Sequence, residues 1–219
     1  MLAEKEVERE FVAAMGPELG KMYGRLWAEC LGLHSRWSEY IVLFGTKPER
    51  IDLLKKAAPT FFGLVHDCLR DDVLLRVSRF VDPSTSGTGK HNLSFDRLLT
   101  LLTQQLCDEL EPLIRSCKHK CSVAQDWRNR SIAHLDLDVA LGRALKPLPP
   151  ATRKHVSEAI QAIAAILDTI RHHYLRSKMG TWSTDPPGSA VALLYVLRDG
   201  LDAERERRKR GIHGPRPPI

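Results

Sequence analysis

Hydrophobic positions recur every three to four residues along nearly the whole chain, the period of an amphipathic α-helix. Met22, Leu26, Leu33, Trp37, Tyr40 and Phe44 fall at helical spacing, which predicts helix over 6–44, with Gly16-Pro17 as the place where it would break. Gly45-Thr46-Lys47-Pro48 reads as a stop and restart, with Thr46 a candidate N-cap and Pro48 early in the next turn. A short helix over 51–57 follows. Pro59 and Thr60 open another that runs to about Val81. Its stripe of Phe61, Leu64, Val65, Cys68, Leu69, Val73, Leu74, Val77 and Phe80 is broad enough to belong in a core. No alternating, strand-like run is followed by a hairpin signal.

The loop Asp82-Pro83-Ser84-Thr85-Ser86-Gly87-Thr88-Gly89-Lys90 cannot continue a helix and is expected to be a flexible surface loop. It is not a phosphate-binding loop. Ser84 stands where that motif needs its first glycine, His91 where it needs Ser or Thr, and no strand precedes it. Ser94 can cap a helix over 95–105, and a further helix is expected from about Asp108 to beyond Ala133. Thr152 starts a long helix carrying Val156, Ile160, Ile163, Ile166, Leu167 and Ile170, which fades near Met179-Gly180. A last helix over 189–209 begins apolar and ends in charges. The sum is an all-α antiparallel helical bundle. Its divisions are a helical domain over 1–180, a C-terminal helical appendage over 181–210 and a disordered tail over 211–219.

Composition narrows the function only a little. Apolar residues are 43% of the chain, enough for a real core, and the net charge of +6 is compatible with a polyanionic partner without proving one. No segment has the apolar length of a membrane span. The start, MLAEKEVERE, is acidic rather than the basic lead of a secretory signal, so a cytoplasmic protein with no membrane partner is expected. The odd number of cysteines argues against a disulfide framework. Cys117, His119 and Cys121 are close in sequence. The two cysteines would share a helix face and His119 would point away, so neither a metal nor any other cofactor is assigned.

The chemistry lies in Asp126-Trp127-Arg128-Asn129-Arg130-Ser131-Ile132-Ala133-His134-Leu135-Asp136. RNA transesterification needs an imidazole that can take the 2′-hydroxyl proton or return one to the leaving 5′-oxygen. It also needs a guanidinium to hold the phosphate and stabilise the added charge of the transition state. An amide can orient either. On an ideal helix Arg128 and His134 point about 120° apart, whereas Arg130 and His134 share a face. One copy therefore makes a loose site, and two copies across a two-fold axis would surround one phosphate with two arginines and two histidines. Asp138 lies one turn after His134 and would orient the imidazole if the helix persists that far.

Arg128-Asn129-x-x-x-x-His134 resembles the signature of HEPN domains: an arginine, usually a polar residue, and a histidine after four to six intervening residues. The flanking text is similar to one branch, the bacterial abortive-infection U-type (AbiU2-like) HEPN proteins. The similarity runs through Trp27, Trp37-x-x-Tyr40-x-x-Leu43-Phe44-Gly45, Ile51-Asp52-Leu53-Leu54 and Ala57-Ala58-Pro59-x-Phe61-Phe62. It continues in Ser78-Arg79-x-x-Asp82-Pro83 and Trp127-Arg128-Asn129 with Ala133-His134-x-Asp136, and covers roughly residues 20–140. The resemblance implies a helical bundle, a homodimer with the Arg128–His134 face at its interface, and metal-independent endoribonuclease activity in catalytic members. On it, Arg128 binds phosphate, Asn129 is the polar helper and His134 the acid-base residue. Arg79, Asp82, Arg130, Asp136 and Asp138 are candidate supporting residues. Some HEPN toxins carry a modifiable tyrosine two residues after the histidine, where this chain has Asp136.

The function expected is RNA cleavage in phage defence or as a toxin. The substrate would be tRNA or single-stranded loops, and an antitoxin or defence protein a further partner. The competing expectations are a non-catalytic helical module binding RNA or protein through the same cleft, and a dimerisation scaffold. Plainer readings stand beside each residue. Arg128 and His134 could be a helix-end cation and a surface histidine, and Arg79 and Asp82 an ion pair closing a helix. His172-His173-Tyr174 reads as helix-end cations. The run Arg205-Glu206-Arg207-Arg208-Lys209-Arg210 is either a handle for RNA or a solvated helix end.

Overall fold

The computed structural model describes residues 2–45, 47–176 and 188–211. Among them the chain is all α. The only β pairing is an isolated bridge between Thr85 and His91. The break at Gly16-Pro17 is real. Helix α1 (Leu2–Met15) ends at Gly16, whose φ of 84° only glycine adopts without strain, and Pro17 opens α2 (Pro17–Tyr40). The two helices touch backbone to backbone at Gly20, where an added Cβ would stand 2.6 Å from the Phe11 carbonyl oxygen. A π-helical turn, Ile41–Gly45, ends α2. Then come α3 (Pro48–Ala57) and α4 (Pro59–Phe80). Lys47 is the extended residue before α3, and Thr46, the expected cap, lies outside the described residues.

Helix α3 starts three residues earlier than expected, and larger corrections fall on α5 and α6. Ser94 does cap a helix, accepting from the Arg97 N–H at 3.4 Å, but α5 (Phe95–Leu99) is a single short piece. Thr100 turns its hydroxyl back onto the Arg97 carbonyl at 2.7 Å, and extended Thr103 starts α6 (Gln104–Trp127) earlier than the pattern implies. The second correction concerns the end of α6. The helix does not run past Ala133. It gives way at Arg128 to a second π-helical turn, Arg128–Ile132, and then to α7 (Leu137–Ala140). Thr152 caps α8 (Arg153–Leu175) as its side chain predicts, accepting from the His155 N–H. Helix α9 is Ala190–Lys209. The fading of α8 and the tail beyond Gly211 fall outside the described residues.

The chain divides into two compact units. The larger, Met1–Arg36 with Arg70–Trp182, is built around α6 packed along α8. Its core joins Phe11, Tyr23, Leu26 and Leu33 to Val77, Phe80, Phe95, Leu110, Ile163 and Leu167, all buried. The Tyr23 hydroxyl donates to the Leu167 carbonyl at 3.0 Å, which satisfies a buried polar group that would otherwise cost free energy. The smaller unit, Trp37–Leu69 with Ser183–Ile219, has its own apolar cluster, with Leu43, Leu54 and Phe62 against Ala190 and Leu194 of α9. Within it Trp37 stacks on Tyr40, whose hydroxyl is 2.9 Å from His66 Nε2. Glu39 accepts the first N–H of α9 at 2.6 Å, where a carboxylate also suits the helix dipole.

Candidate active site

The site forms where α6 unwinds, at the edge of the larger unit. Trp127, the last α-helical residue, is pinned from two sides. Its indole N–H donates to the Pro149 carbonyl at 2.8 Å, and the Arg70 guanidinium lies 5.1 Å from its ring centroid. The next turn carries one extra residue. The Ala133 N–H reaches the Arg128 carbonyl at 2.8 Å, an i→i+5 bond in place of i→i+4. Such single π turns are common at functional sites, because they re-aim the side chains around them.

Arg128 is held at two points. One terminal nitrogen, Nη1, donates to Asp82 at the end of α4, and Nε donates to the Asn129 side-chain oxygen at 3.0 Å. The fork is fixed on that side, and Nη2 has no partner among the described residues. Asp82 and Arg128 are mostly covered, with side chains 17% and 27% exposed. Thus three of the sequence candidates meet: Arg128, Asn129 and Asp82. Arg79 lines the same cleft with Asp82, and it too has no partner among the described residues.

The other candidates are used differently. His134 sits in the bend after the π turn, exposed, with no side-chain partner among the described residues. Arg130 ties the turn to the following loop by donating to the Lys146 carbonyl at 2.6 Å. Asp136 caps α7 by accepting from the N–H groups of Asp138 and Val139. Asp138 does not continue a helix from His134. It belongs to α7, and its carboxylate lies 3.8 Å from Arg143. The imidazole is therefore oriented by nothing in its own chain among the described residues. In the segment that follows it Leu135, Leu137, Leu141 and Leu145 are exposed, Leu135 by 73%, interspersed with exposed Asp136, Asp138, Arg143 and Lys146.

Sequence reasoning did not pick out Glu29, Asn92 or Arg70. Glu29 and Asn92 reach the cleft from α2 and from the loop before α5, so no local motif contains them. Cys117 and Cys121 are buried with sulfurs 3.8 Å apart, while His119 is exposed, so the three do not share a face. No group of three or more metal-ligand side chains occurs among the described residues. None of the described helices is long and apolar enough to cross a membrane.

No curated protein and no solved structure matches this chain. A family model does, the HEPN domain described as AbiU2, over residues 16–192. The match starts at the α1–α2 turn, takes in both π turns and the whole Arg128–His134 element, and ends inside α9. It spans most of the chain, and membership points to a role in abortive infection or defence. The chain belongs to the AbiU2 family of HEPN domains.

Proposed function

We propose that this protein is a metal-independent endoribonuclease of phage defence or toxin type, acting as a homodimer on single-stranded RNA or tRNA loops. The observation that carries the reading is the state of Arg128. Its guanidinium is fixed by Asp82 and Asn129 on one side, which leaves Nη2 for a phosphate oxygen. A pre-fixed fork loses little entropy on binding and is already aimed when charge builds up on phosphorus. The exposed His134, in the bend that follows the π turn, supplies the group that moves protons.

The step runs as follows. One imidazole takes the 2′-hydroxyl proton as the 2′-oxygen attacks the adjacent phosphorus. The P–O5′ bond breaks, and a second imidazole in its protonated form gives the leaving oxygen its proton. The products are a 2′,3′-cyclic phosphate and a 5′-hydroxyl. One chain contributes a single motif histidine, so the second comes from a partner copy related by a two-fold axis. The four exposed leucines between 135 and 145 support that assembly, because a second chain would cover apolar side chains that one chain leaves in water.

The test uses purified protein in EDTA with a mixed RNA pool. Wild type is expected to leave 2′,3′-cyclic ends, and His134→Ala and Arg128→Ala are each expected to lower the rate at least about a hundredfold with unchanged circular dichroism. Equal cleavage by all three proteins would dispose of the assignment.

A further inference from the structure

Asp82, the partner of Arg128, also lines a cavity of about 330 Å³, with apolar walls from Leu26, Phe80 and Leu93. That volume sits at the small end of ligand sites and suits one nucleotide, not a longer stretch of chain. Of its five polar side chains three carry acceptor oxygens, Glu29, Asp82 and Asn92, and two are cations, Arg76 and Arg79. Glu29 gives Oε2 to Arg76 at 2.7 Å and keeps Oε1, and Asp82 gives Oδ1 to Arg128 and keeps Oδ2. Asn92 spends its NH₂ on the Pro83 carbonyl at 2.8 Å and keeps its side-chain oxygen. The cations balance in the same way. Arg76 is neutralised by Glu29 and Asp72, and Arg128 by Asp82. Arg79 is exposed, without a carboxylate partner among the described residues, and so offers one positive charge to one phosphate.

We propose that this cavity seats a guanine base of the RNA, next to the phosphate taken by Arg128, and that Arg79 holds a neighbouring phosphate. The proposal rests on the reading of Arg128 as the phosphate residue. Guanine is favoured because its Watson–Crick edge sets two N–H donors side by side, one on the ring and one exocyclic, at the spacing a carboxylate accepts, and Glu29 and Asp82 each keep an oxygen. Uracil offers a single N–H flanked by two carbonyls, which would face those carboxylates acceptor to acceptor. A base that cannot donate is disfavoured, because seating it takes water from Glu29 and Asp82, 35% and 17% exposed, and gives them no donor in return.

The experiment is calorimetric titration of the full-length His134→Ala protein, in EDTA, with the four nucleoside 3′-monophosphates. Guanosine 3′-monophosphate is expected to bind at least about tenfold tighter than the uridine compound. Leu93→Trp fills the cavity from its partly exposed wall and should weaken the guanosine nucleotide at least about tenfold. Glu29→Gln should narrow the guanine-to-uracil ratio, and Arg79→Ala should weaken all four nucleotides alike. Circular dichroism and melting of each variant report its fold. No binding at millimolar concentration, or binding equal for all four bases and indifferent to Leu93→Trp, overturns the proposal. The two readings fail separately. RNA cleavage whose KM and base preference ignore Leu93→Trp removes the pocket and leaves the nuclease. Guanosine nucleotide binding that Leu93→Trp abolishes, in a wild type that cuts no RNA, removes the nuclease and leaves the pocket.

Discussion

Replacing Asp82 by asparagine probes the contact that fixes Arg128. The amide keeps an oxygen in place of Oδ1 and removes the charge. At the ordinary ion-pair separation of about 3 Å, and an effective dielectric of about 20, the gross attraction is about 5 kcal/mol. Both side chains are mostly covered, 17% and 27% exposed, so desolvation offsets most of that. A net contribution of about 1–2 kcal/mol remains, and at about 2–4 °C per kcal/mol for a chain of this size the Tm should fall by about 2–8 °C. Activity separates two roles for the carboxylate. If Asp82 positions the fork, kcat falls about ten- to a hundredfold, because the lost alignment is felt mainly in the transition state, and KM rises only for substrates whose guanine would meet Oδ2. If Asp82 instead competes with phosphate for Arg128, KM falls and kcat holds. The geometry favours positioning, since Nη2 is left for substrate while Nη1 and Nε are engaged. A double-mutant cycle of Asp82→Ala and Arg128→Ala in urea unfolding needs no substrate. It should give a coupling energy of about 1–2 kcal/mol. A coupling below about 0.3 kcal/mol, or an Asp82→Asn enzyme with unchanged kcat and KM, would refute the reasoning.

Three further outcomes are expected. Gly20→Ala puts a Cβ 2.6 Å from the Phe11 carbonyl oxygen and Val12 backbone, which no side-chain rotation relieves, so α1 must shift; a loss of about 2–4 kcal/mol in urea unfolding is expected, and a loss under 1 would mean α1 is not packed there. Burial holds the His34 imidazole below its ordinary value, so as pH falls below about 6.5 the unfolded chain takes up the proton first and stability drops until the folded value is reached; wild type should lose more stability between pH 7.5 and 5.5 than His34→Gln, and parallel losses would contradict this. Of the thiols, exposed Cys68 should react first with DTNB and half-buried Cys107 more slowly, while Cys30, pushed up to about 12 by burial, and the buried Cys117–Cys121 pair should react only on unfolding; rapid modification of three or more in the native protein contradicts the packing.

The helices were largely legible because their signals are local. Gly16-Pro17 stops one helix and starts the next with residues whose backbone preferences are strong, and Thr152 caps α8 with a hydroxyl that has no better use. The apolar stripe of α8 named buried residues correctly, from Val156 and Ile160 to Leu167 and Ile170, and so did the second half of the α4 stripe, Val73, Leu74, Val77 and Phe80; the first half did not, since Phe61, Leu64 and Cys68, expected in the core, are exposed while Phe62 beside them is buried. What failed was the continuity of helices at their ends. Nothing in the period of 100–103 warns that Thr100 will return its hydroxyl to Arg97 and cut α5 to a single short piece. Propensity there permits helix, and the tertiary arrangement decides against it.

The same limit bears hardest on the site. A regular helix through 128–138 would place Asp138 one turn beyond His134 as its orienting partner. The extra residue of the π turn shifts that register, and the helix stops, so Asp138 meets Arg143 and Asp136 caps α7 at the surface. The π turn is held by contacts from outside the segment: Asp82 on Arg128, Pro149 on Trp127 and Lys146 on Arg130. Residue types at 128–134 therefore announce the chemistry, but its geometry is written in positions up to 46 residues away. This is also why the arginine and histidine need not share a helical face. With the turn anchored at the end of α4 and on the loop before α8, the fork is fixed by one set of contacts and His134 is left exposed in the bend that follows. In the proposed nuclease that division is useful: each chain would bring a rigid phosphate clamp, and the orientation of its imidazole would be completed only when a second chain covers the exposed leucines that follow it.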